Sequence, residues 1–532
     1  MSFRQLKLAS IAFLPLAGLS LAPLALIDSA SANEFEVSQP ANTDPTHLVN
    51  KLESLHKIIK KNSFPISQNE AIILGITNNP KLLETFSTIQ QYEWLLIAAQ
   101  RRWYPNLQLS NGSPVIGYSW QTYVENQYGS RGSSDSSTSL NYSDGDYLYQ
   151  SLKSQSFSLQ PGATVSWNFI DPTRQPDINA ASESLKQQKL LFNVSTRSLI
   201  LNLQQTYYGI QSSQQLIDSF KQIYAINKEQ LNMLEAQKTI GMATVLDVEQ
   251  TRSQLFVQLN QLVNYTQDYI KQTAQLGQYL ALPPGKLAIP SDPVVIKGRW
   301  TLSLDETIKK SLQQREEILA SLAAAESAQW RGIAAIRSYL PVFKLIGSGS
   351  LSSINGYSNV PVDDDPGTDY NWTRTWTANA GIGFTWSLFD GGINDAKAQS
   401  FYAESRSLKS QAADNELDVV RQVRTSFGEL HTSQVAVASA KQAYKSAELA
   451  QEAARVRWAA GAGDITSVVQ TIQQLSQSAR QLSLAMLSYN NAIAQLYRYS
   501  ATWPGSSEME IQRRLQMMRI TPSNSQNNTV TP

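Results

Sequence analysis

Few residues in this chain are equipped for bond-making chemistry. Histidine occurs three times, as His47 and His56 near the N-terminus and as His431 in helix-like sequence, so neither a His-based triad nor a His-rich metal site can be assembled. Cysteine is absent, which excludes disulfides, Cys-ligated zinc, thiol catalysis and the acylated cysteine of a lipoprotein. The run GSGS at 347–350 lacks the lysine of a phosphate loop. Asp363-Asp364-Asp365 has oxygen donors for a cation, but its turn-rich setting reads as an exposed loop tip. The remaining candidates are acids beside glycines. In KTIGMATVLDVEQT (238–251) Gly241 precedes Asp247 and Glu249, and in GAGDITSVVQT (461–471) Gly461 precedes Asp464. A carboxylate in a first helical turn is favoured by the unpaired N–H groups there, so these acids read first as ordinary helix starters. No enzyme, metal or cofactor is expected.

The elements that position them follow from composition and pattern. Apolar residues make up 42% of the 532 residues and are thinly spread, which suits long helices with narrow seams better than a thick core. With 44 Lys plus Arg against 43 Asp plus Glu, nothing points to nucleic acid. Residues 1–32 have Arg4 and Lys7, an apolar run from Leu8 to Ile27 and then Ala30-Ser31-Ala32, the layout of a cleaved export signal. No later run approaches ~18 apolar residues, so export is expected to deliver either a soluble protein or one that inserts as β-structure.

One module is used twice. Residues 66–109 lie over 302–345 at an offset of 236, so that Ser67 meets Ser303, Glu70 meets Glu306, Arg101 meets Arg337 and Pro105 meets Pro341. VSWNFIDP (165–172) pairs with FTWSLFDG (384–391), and Gly241 with Gly461. Each copy carries heptads: Leu203, Ile210, Ile217, Tyr224 and Leu231 match Val423, Leu430, Val437 and Tyr444, and Val248, Leu255, Leu262, Tyr269 and Leu276 match Val468, Leu475, Leu482, Tyr489 and Leu496. Runs 173–240 and 392–460 predict helices ~100 Å long. Runs 66–104, 243–281, 302–340 and 464–500, each read as one helix, are just over half that, so two short helices end to end partner one long one.

Between the helices lie alternating stretches, 157–169 and 376–388, with less regular ones opening at Pro105 and Pro341. Polar loops from Gly129 and from Asn355 join each pair. The alternation fits either a soluble sheet with one buried face or a membrane barrel. Four strands cannot close a barrel alone, and an open edge in lipid leaves backbone groups unsatisfied, so a membrane barrel here would require several copies.

The tandem repeat, WSLFDGG (386–392), its variant WNFIDP (167–172) and the paired glycine turns resemble the TolC family of outer-membrane efflux channels over about residues 66–500. The resemblance implies a mixed α and β membrane protein, a tandem-repeat protomer with long coiled-coil hairpins and four β-strands. It further implies a homotrimer with a 12-stranded outer-membrane barrel in lipid and a periplasmic helical tunnel. Its partners would be a periplasmic adaptor and an inner-membrane RND or ABC transporter, and its task passive conduction of small molecules or unfolded polypeptide. The chain then divides into a signal (1–32), a polar linker with a short helix (33–62), a first repeat (63–286), an inter-repeat linker (287–301), a second repeat (302–503) and a polar tail (504–532). By the same resemblance Asp247 and Trp458 fall at the periplasmic aperture; Glu249 is placed there beside Asp247 although the family pattern does not call for it, and Asp464 either adds to the aperture or caps its helix. Ser467 and Gln470 stand where the second copy would carry further acids. Ile240-Gly241-Met242 and Ala460-Gly461-Ala462 become the adaptor-docking tips. Trp120, Trp167, Trp376 and Trp386 become barrel aromatics, and Asp390-Gly391-Gly392 the turn from strand to helix. A periplasmic coiled-coil protein is the rival reading; it leaves the tandem aromatic strands unexplained.

Overall fold

Serine and threonine caps set where the helices begin. In a computed structural model of the chain, which describes residues 45–109, 116–127, 148–296, 298–361, 370–503, 509 and 511–513, Ser67 and Ser303 each accept from the amide three residues on. Glu70 and Glu306 reach back in return, completing capping boxes. The helices are α1 (Pro45–Lys61), α2 (Gln68–Asn78), α3 (Pro80–Arg101), α4 (Arg174–Thr239), α5 (Val245–Tyr279), α6 (Leu304–Gln314), α7 (Glu316–Arg337), α8 (Ile393–Ala459) and α9 (Ile465–Tyr499). The strands are β1 (Ser63–Ile66), β2 (Asn106–Leu109), β3 (Ile116–Gln127), β4 (Leu148–Leu159), β5 (Gly162–Ile170), β6 (Leu287–Pro290), β7 (Val342–Pro361) and β8 (Asn371–Thr385). Met1–Leu55 forms one contact unit, of which only the first part of α1 is described, and His56–Pro532 forms the other, treated below.

The expected single helices over 66–104 and 302–340 are each broken in two. Pro80 bars the preceding residue from helical geometry, so Asn79 (φ −64°, ψ 118°) ends α2 and begins α3, its Oδ1 accepting from Lys81 N and Leu82 N. The second break, at Arg315 (φ −66°, ψ 119°), has no proline behind it. There the side chain is buried and fixed by Glu317, Gln422 Oε1 and the Tyr499 carbonyl, so tertiary contacts hold the kink. The expected strand over 157–169 is also interrupted, at Gln160-Pro161, where proline has no N–H to give the ladder. The loop expected from Asn355 is strand as far as Pro361, because Asn355 and Gly356 pair with Trp372 and Asn371 of β8 while Tyr357, Val360 and Pro361 pair with Gln155, Lys153 and Leu152 of β4. The loop beginning at Gly129, the aspartates 363–365, the export signal and most of the tail lie outside the described residues.

The heptad positions form the seams between helices. Leu203, Ile210, Ile217, Val248, Leu255, Leu262, Tyr269 and Leu276 are all almost fully buried. α4 lies between α3 and α5 on one side and α7 and α9 on the other, and α8 packs on α7 and α9 from beyond. Accordingly 28 of the 66 residues of α4 are buried but only 12 of the 67 in α8, which is covered on one side alone. Each long helix is thus matched by two short ones stacked along it.

The sheet repeats this order. β7 pairs with β8 from Val342 to Gly356 on one side; on the other it pairs first with β5 and then, as far as Pro361, with β4, and β2 and β3 lie outside those two. All contacts are antiparallel, so the sheet is four strand-widths across with β8 at one edge and β2 and β3 at the other. A separate parallel clasp of β1 with β6 ties the two ends of the first repeat together. It docks on α4 through Tyr207, whose hydroxyl donates to the Ile66 carbonyl; burial pushes its phenol up to about 12, so it stays a donor. Beyond β6 the chain forms a strap over the helices, held by Gln211 Nε2 donating to the Asp292 carbonyl, Asn490 Nδ2 to that of Val295 and Tyr489 Oη to that of Gly298.

Candidate functional site: tips, junctions and an apolar band

Both hairpin tips are built alike. Gly241 (φ +76°) and Gly461 (φ +71°) occupy the left-handed region open mainly to glycine. In the first tip Met242 N donates to the Gln237 carbonyl and Gly241 N to that of Lys238; in the second Ala462 N donates to Arg457 and Gly461 N to Trp458. This double bond pattern satisfies the last carbonyls of each long helix and leaves the apex free of side-chain contacts. Ile240 and Met242 are about 70% exposed, and Ala460 and Ala462 are also exposed.

The acids behind the tips have distinct surroundings. Asp247 is the third residue of a capping box: its Oδ2 accepts from Thr244 N (3.0 Å) and Thr244 Oγ1 (2.6 Å), and its own amide donates to Thr244 Oγ1. Glu249 is paired with Arg252, which also reaches Glu235 Oε1 at 2.8 Å and so laces α5 to α4. Asp464 stands at the N-cap of α9, exposed and without a side-chain capping bond. Trp458 is half-buried in the last turn of α8, its backbone covered by Gly463, where a Cβ would lie 3.1 Å from Trp458 N. The structure therefore groups Asp247 and Glu249 at one tip and Asp464 and Trp458 at the other.

The junctions between sheet and helices are equivalent in the two repeats. Trp167 Nε1 donates to the Trp103 carbonyl and Trp386 Nε1 to that of Tyr339, both at 2.9 Å, so an indole pins the end of the preceding helix to the strand. Asp171 and Asp390 then organise the turn. Asp171 accepts from Thr173 N and pairs with Arg102. Asp390 accepts from Tyr339 Oη, Gly392 N and Asn394 N, with Gly391 and Gly392 both at positive φ. Desolvation would raise the Asp390 carboxyl, but these donors outweigh it and hold it below its ordinary value.

Register and alternation assign the two faces of the sheet. One carries Leu107 beside Val165, Trp167 beside Leu345, and Ile382 and Phe384 opposite Leu345 and Phe343. It continues through Gly347 with Ala380 and Gly349 with Ala378 to Leu351 with Trp376, without a charge. The opposite face carries Thr164, Ser166, Ser348, Thr377 and Asn379, with Lys344 toward the helical end. From Phe384 to Trp376 the uncharged band runs ~26 Å along the strand, and tilted barrel strands carry apolar bands of about that order. Trp120, on the same face as Tyr118, and Trp372, with Arg374 stacked on it at 5.1 Å, lie beyond it. Among the described residues no helix is long and apolar enough to cross a membrane, and no group of three His, Cys, Asp or Glu could hold a metal.

One functional cluster has almost no trace in the sequence. Arg197 of α4 pairs with Glu316 (2.8 Å), stacks on Trp503 (3.9 Å) and donates to the Thr502 carbonyl, while Arg498 of α9 and Arg315 pair with Glu317. Only the Arg-Glu-Glu run at the α6–α7 break hints at it; the partners are 119 and 181 residues away. This network joins the two repeats.

A layer of antiparallel helices continued by an antiparallel sheet with one lipid-compatible face defines an outer-membrane channel protein. The chain belongs to the outer membrane efflux protein family, which is matched over residues 75–282 and 307–502. It is similar to Outer membrane protein TolC of Escherichia coli (strain K12), at 20% identity over 67% of this chain and 72% of that protein. It is also similar to Outer membrane protein TolC of Vibrio cholerae, at 22% identity over 68% and 81%. The fold matches the outer-membrane channel OprN with a TM-score of 0.62 at 14% identity, covering 82% of this chain and 90% of that one. The protein is an exit duct for efflux in the outer membrane.

Proposed function

We propose that three copies close head to tail into one conduit that passes small molecules or unfolded polypeptide from a periplasmic adaptor, itself fed by an inner-membrane RND or ABC transporter. The observation that carries this reading is that sheet and helical layer are open along the same two sides, β8 with α8 and β2, β3 with α3 and α5. Such edges are satisfied only by a further copy, and a heterologous contact of this kind closes into a ring. Two copies would give eight strands, a barrel filled by its own side chains, so three is the smallest number that leaves a bore.

Internal symmetry supports a register for that contact. Within one chain α4 meets α9 with Ser212 Oγ 2.8 Å from Ser483 Oγ. Shifting α4 to α8 and α9 to α5 by the repeat offset places Thr432 of one copy against Val263 of the next. The exposed heptad Phe256, Val263 and Ile270 of α5 would then face the small residues Ser439, Thr432 and Thr425 of α8.

In this assembly the tips face the adaptor, and Asp247 stands at the narrowing entrance in the first repeat only. Its capping bonds use one carboxylate oxygen and leave the charge in place. Reconstituted in planar bilayers, Asp247→Asn is expected to weaken cation preference with thermal stability close to wild type. Asp247→Ala should do the same and also lose about 0.5–1 kcal/mol of capping energy. Unaltered ion selectivity in both variants would leave Asp247 a cap and nothing more.

A further inference from the structure

Four lysines gather at one corner of the β1–β6 clasp. Lys57, Lys60 and Lys61 lie along the last turns of α1, and Lys286 immediately precedes β6. Parallel pairing begins at Ser63 with Leu287, and Leu287 N donates to the Asn62 carbonyl, which brings Lys286 level with Asn62, the residue that follows Lys61. All four are exposed, and among the described residues none of their ammonium groups takes part in a hydrogen bond or ion pair. Glu53 lies one turn before Lys57 on α1, and the acids of the clasp itself are at its other end, ~13 Å along the strands. There Asp292 accepts from Gln68 N and Glu70 from Ser67 N. Lys60 and Lys61 compensate the C-terminal dipole of α1 and Lys57 stands one turn after Glu53, but Lys286 has no such duty.

The location restricts what such a patch meets. Tyr207, which anchors the clasp, is 33 residues along α4 from Arg174, or about 50 Å from the sheet. Charge on lipid headgroups at the barrel is screened within about 8 Å at physiological salt, so the membrane is out of reach. The strap that follows the clasp crosses α4 and α9 and packs Trp300 on the core that holds Leu430 of α8. A strap over three helices would obstruct a bore, so this face belongs outside it. In the closed ring the patch occurs three times, and multivalent contacts of modest strength add up.

We propose that this lysine patch binds the stem-peptide carboxylates of the peptidoglycan layer, holding the channel where it crosses the cell wall; this rests on the periplasmic placement of the helices proposed above. Repeating carboxylates on a continuous polymer are opposite in charge to the patch and can engage its three copies at once. Purified full-length protein in detergent is to be sedimented with protein-free sacculi, with sacculi whose carboxylates are amidated, and with phosphatidylglycerol vesicles. Wild type and the quadruple Lys→Arg variant are expected to sediment with native sacculi at low salt and be released by 0.5 M salt. The Lys57→Gln, Lys60→Gln, Lys61→Gln, Lys286→Gln variant should bind at least about ten-fold more weakly, since each lysine near a polyanionic surface contributes several-fold. Amidated sacculi should capture little wild-type protein, an arm that does not depend on any variant folding. Equal capture by amidated sacculi, undiminished binding of the Gln variant, or binding to vesicles and not to sacculi would overturn the proposal. Conductance of the same preparations separates this outcome from failure of the channel reading.

Discussion

Replacing Glu316 by alanine is expected to destabilise the protein by about 3–5 kcal/mol, the cost of leaving a buried charge without its partner. Arg197 and Glu316 are only 7% and 8% exposed, and the neighbouring cations Arg315 and Arg498 are equally enclosed. Three cations therefore share two acids, and removing one acid leaves three against Glu317 alone. Burial already pulls the Arg197 guanidinium below its ordinary value and Glu316 draws it back up, so the loss falls directly on Arg197. Glu316→Gln should be milder, since an amide still accepts from Arg197 Nε. Thermal unfolding of the detergent-solubilised protein measures both; an unchanged midpoint for Glu316→Ala would show that the network does not hold the repeats together. The same cluster makes the protein acid-sensitive. Burial raises the Glu317 carboxyl, but Arg498 and Arg315 outweigh this and set it below the usual carboxylate value. A depressed folded value means the stabilisation is complete above the unfolded glutamate value and is lost as pH falls from there through the folded one.

Arginine at Ala380 and at the adjacent Asn379 should have opposite consequences. Ala380 sits on the uncharged face beside Gly347, midway between Phe384 and Trp376, where a charge in lipid costs about 2–4 kcal/mol. Asn379 pairs with Ser348 on the polar face. Ala380→Arg is therefore expected to reduce assembled, heat-modifiable oligomer in the outer membrane, and Asn379→Arg to assemble normally and shift ion selectivity toward anions. Reversal of the two phenotypes would mean that the faces are assigned the wrong way round.

Much of this architecture is legible in the chain because heptads and strict alternation leave periodic marks. The bounds expected for the long helices, 173–240 and 392–460, differ by a residue or two from Arg174–Thr239 and Ile393–Ala459. The break at Asn79 is also readable, since proline follows it. The break at Arg315 is not, because its cause is a set of contacts with Gln422 and Tyr499 distant in sequence. The interruption at Gln160-Pro161 hides for a different reason: Leu159 and Ala163 are four residues apart, so alternation resumes on the same face as if unbroken. NGYSNVP looks like a turn and becomes strand because β8 pairs with its first two residues and β4 with Tyr357, Val360 and Pro361. At the tips the glycines announce themselves, whereas the capping role of Asp247 depends on Thr244 in extended geometry (φ −87°, ψ 162°).

The ring itself is open to a direct chemical test, since the chain has no cysteine of its own. A Thr432→Cys, Val263→Cys double variant, oxidised in isolated outer membranes, is expected to give covalent species of two and three chains and no higher ladder. Ser212→Cys with Ser483→Cys serves as the intrachain reference, because those hydroxyls already lie 2.8 Å apart. Cross-linking of the reference pair while the Thr432, Val263 variant stays monomeric would contradict the closed ring of three copies; a ladder running past three would contradict its closure.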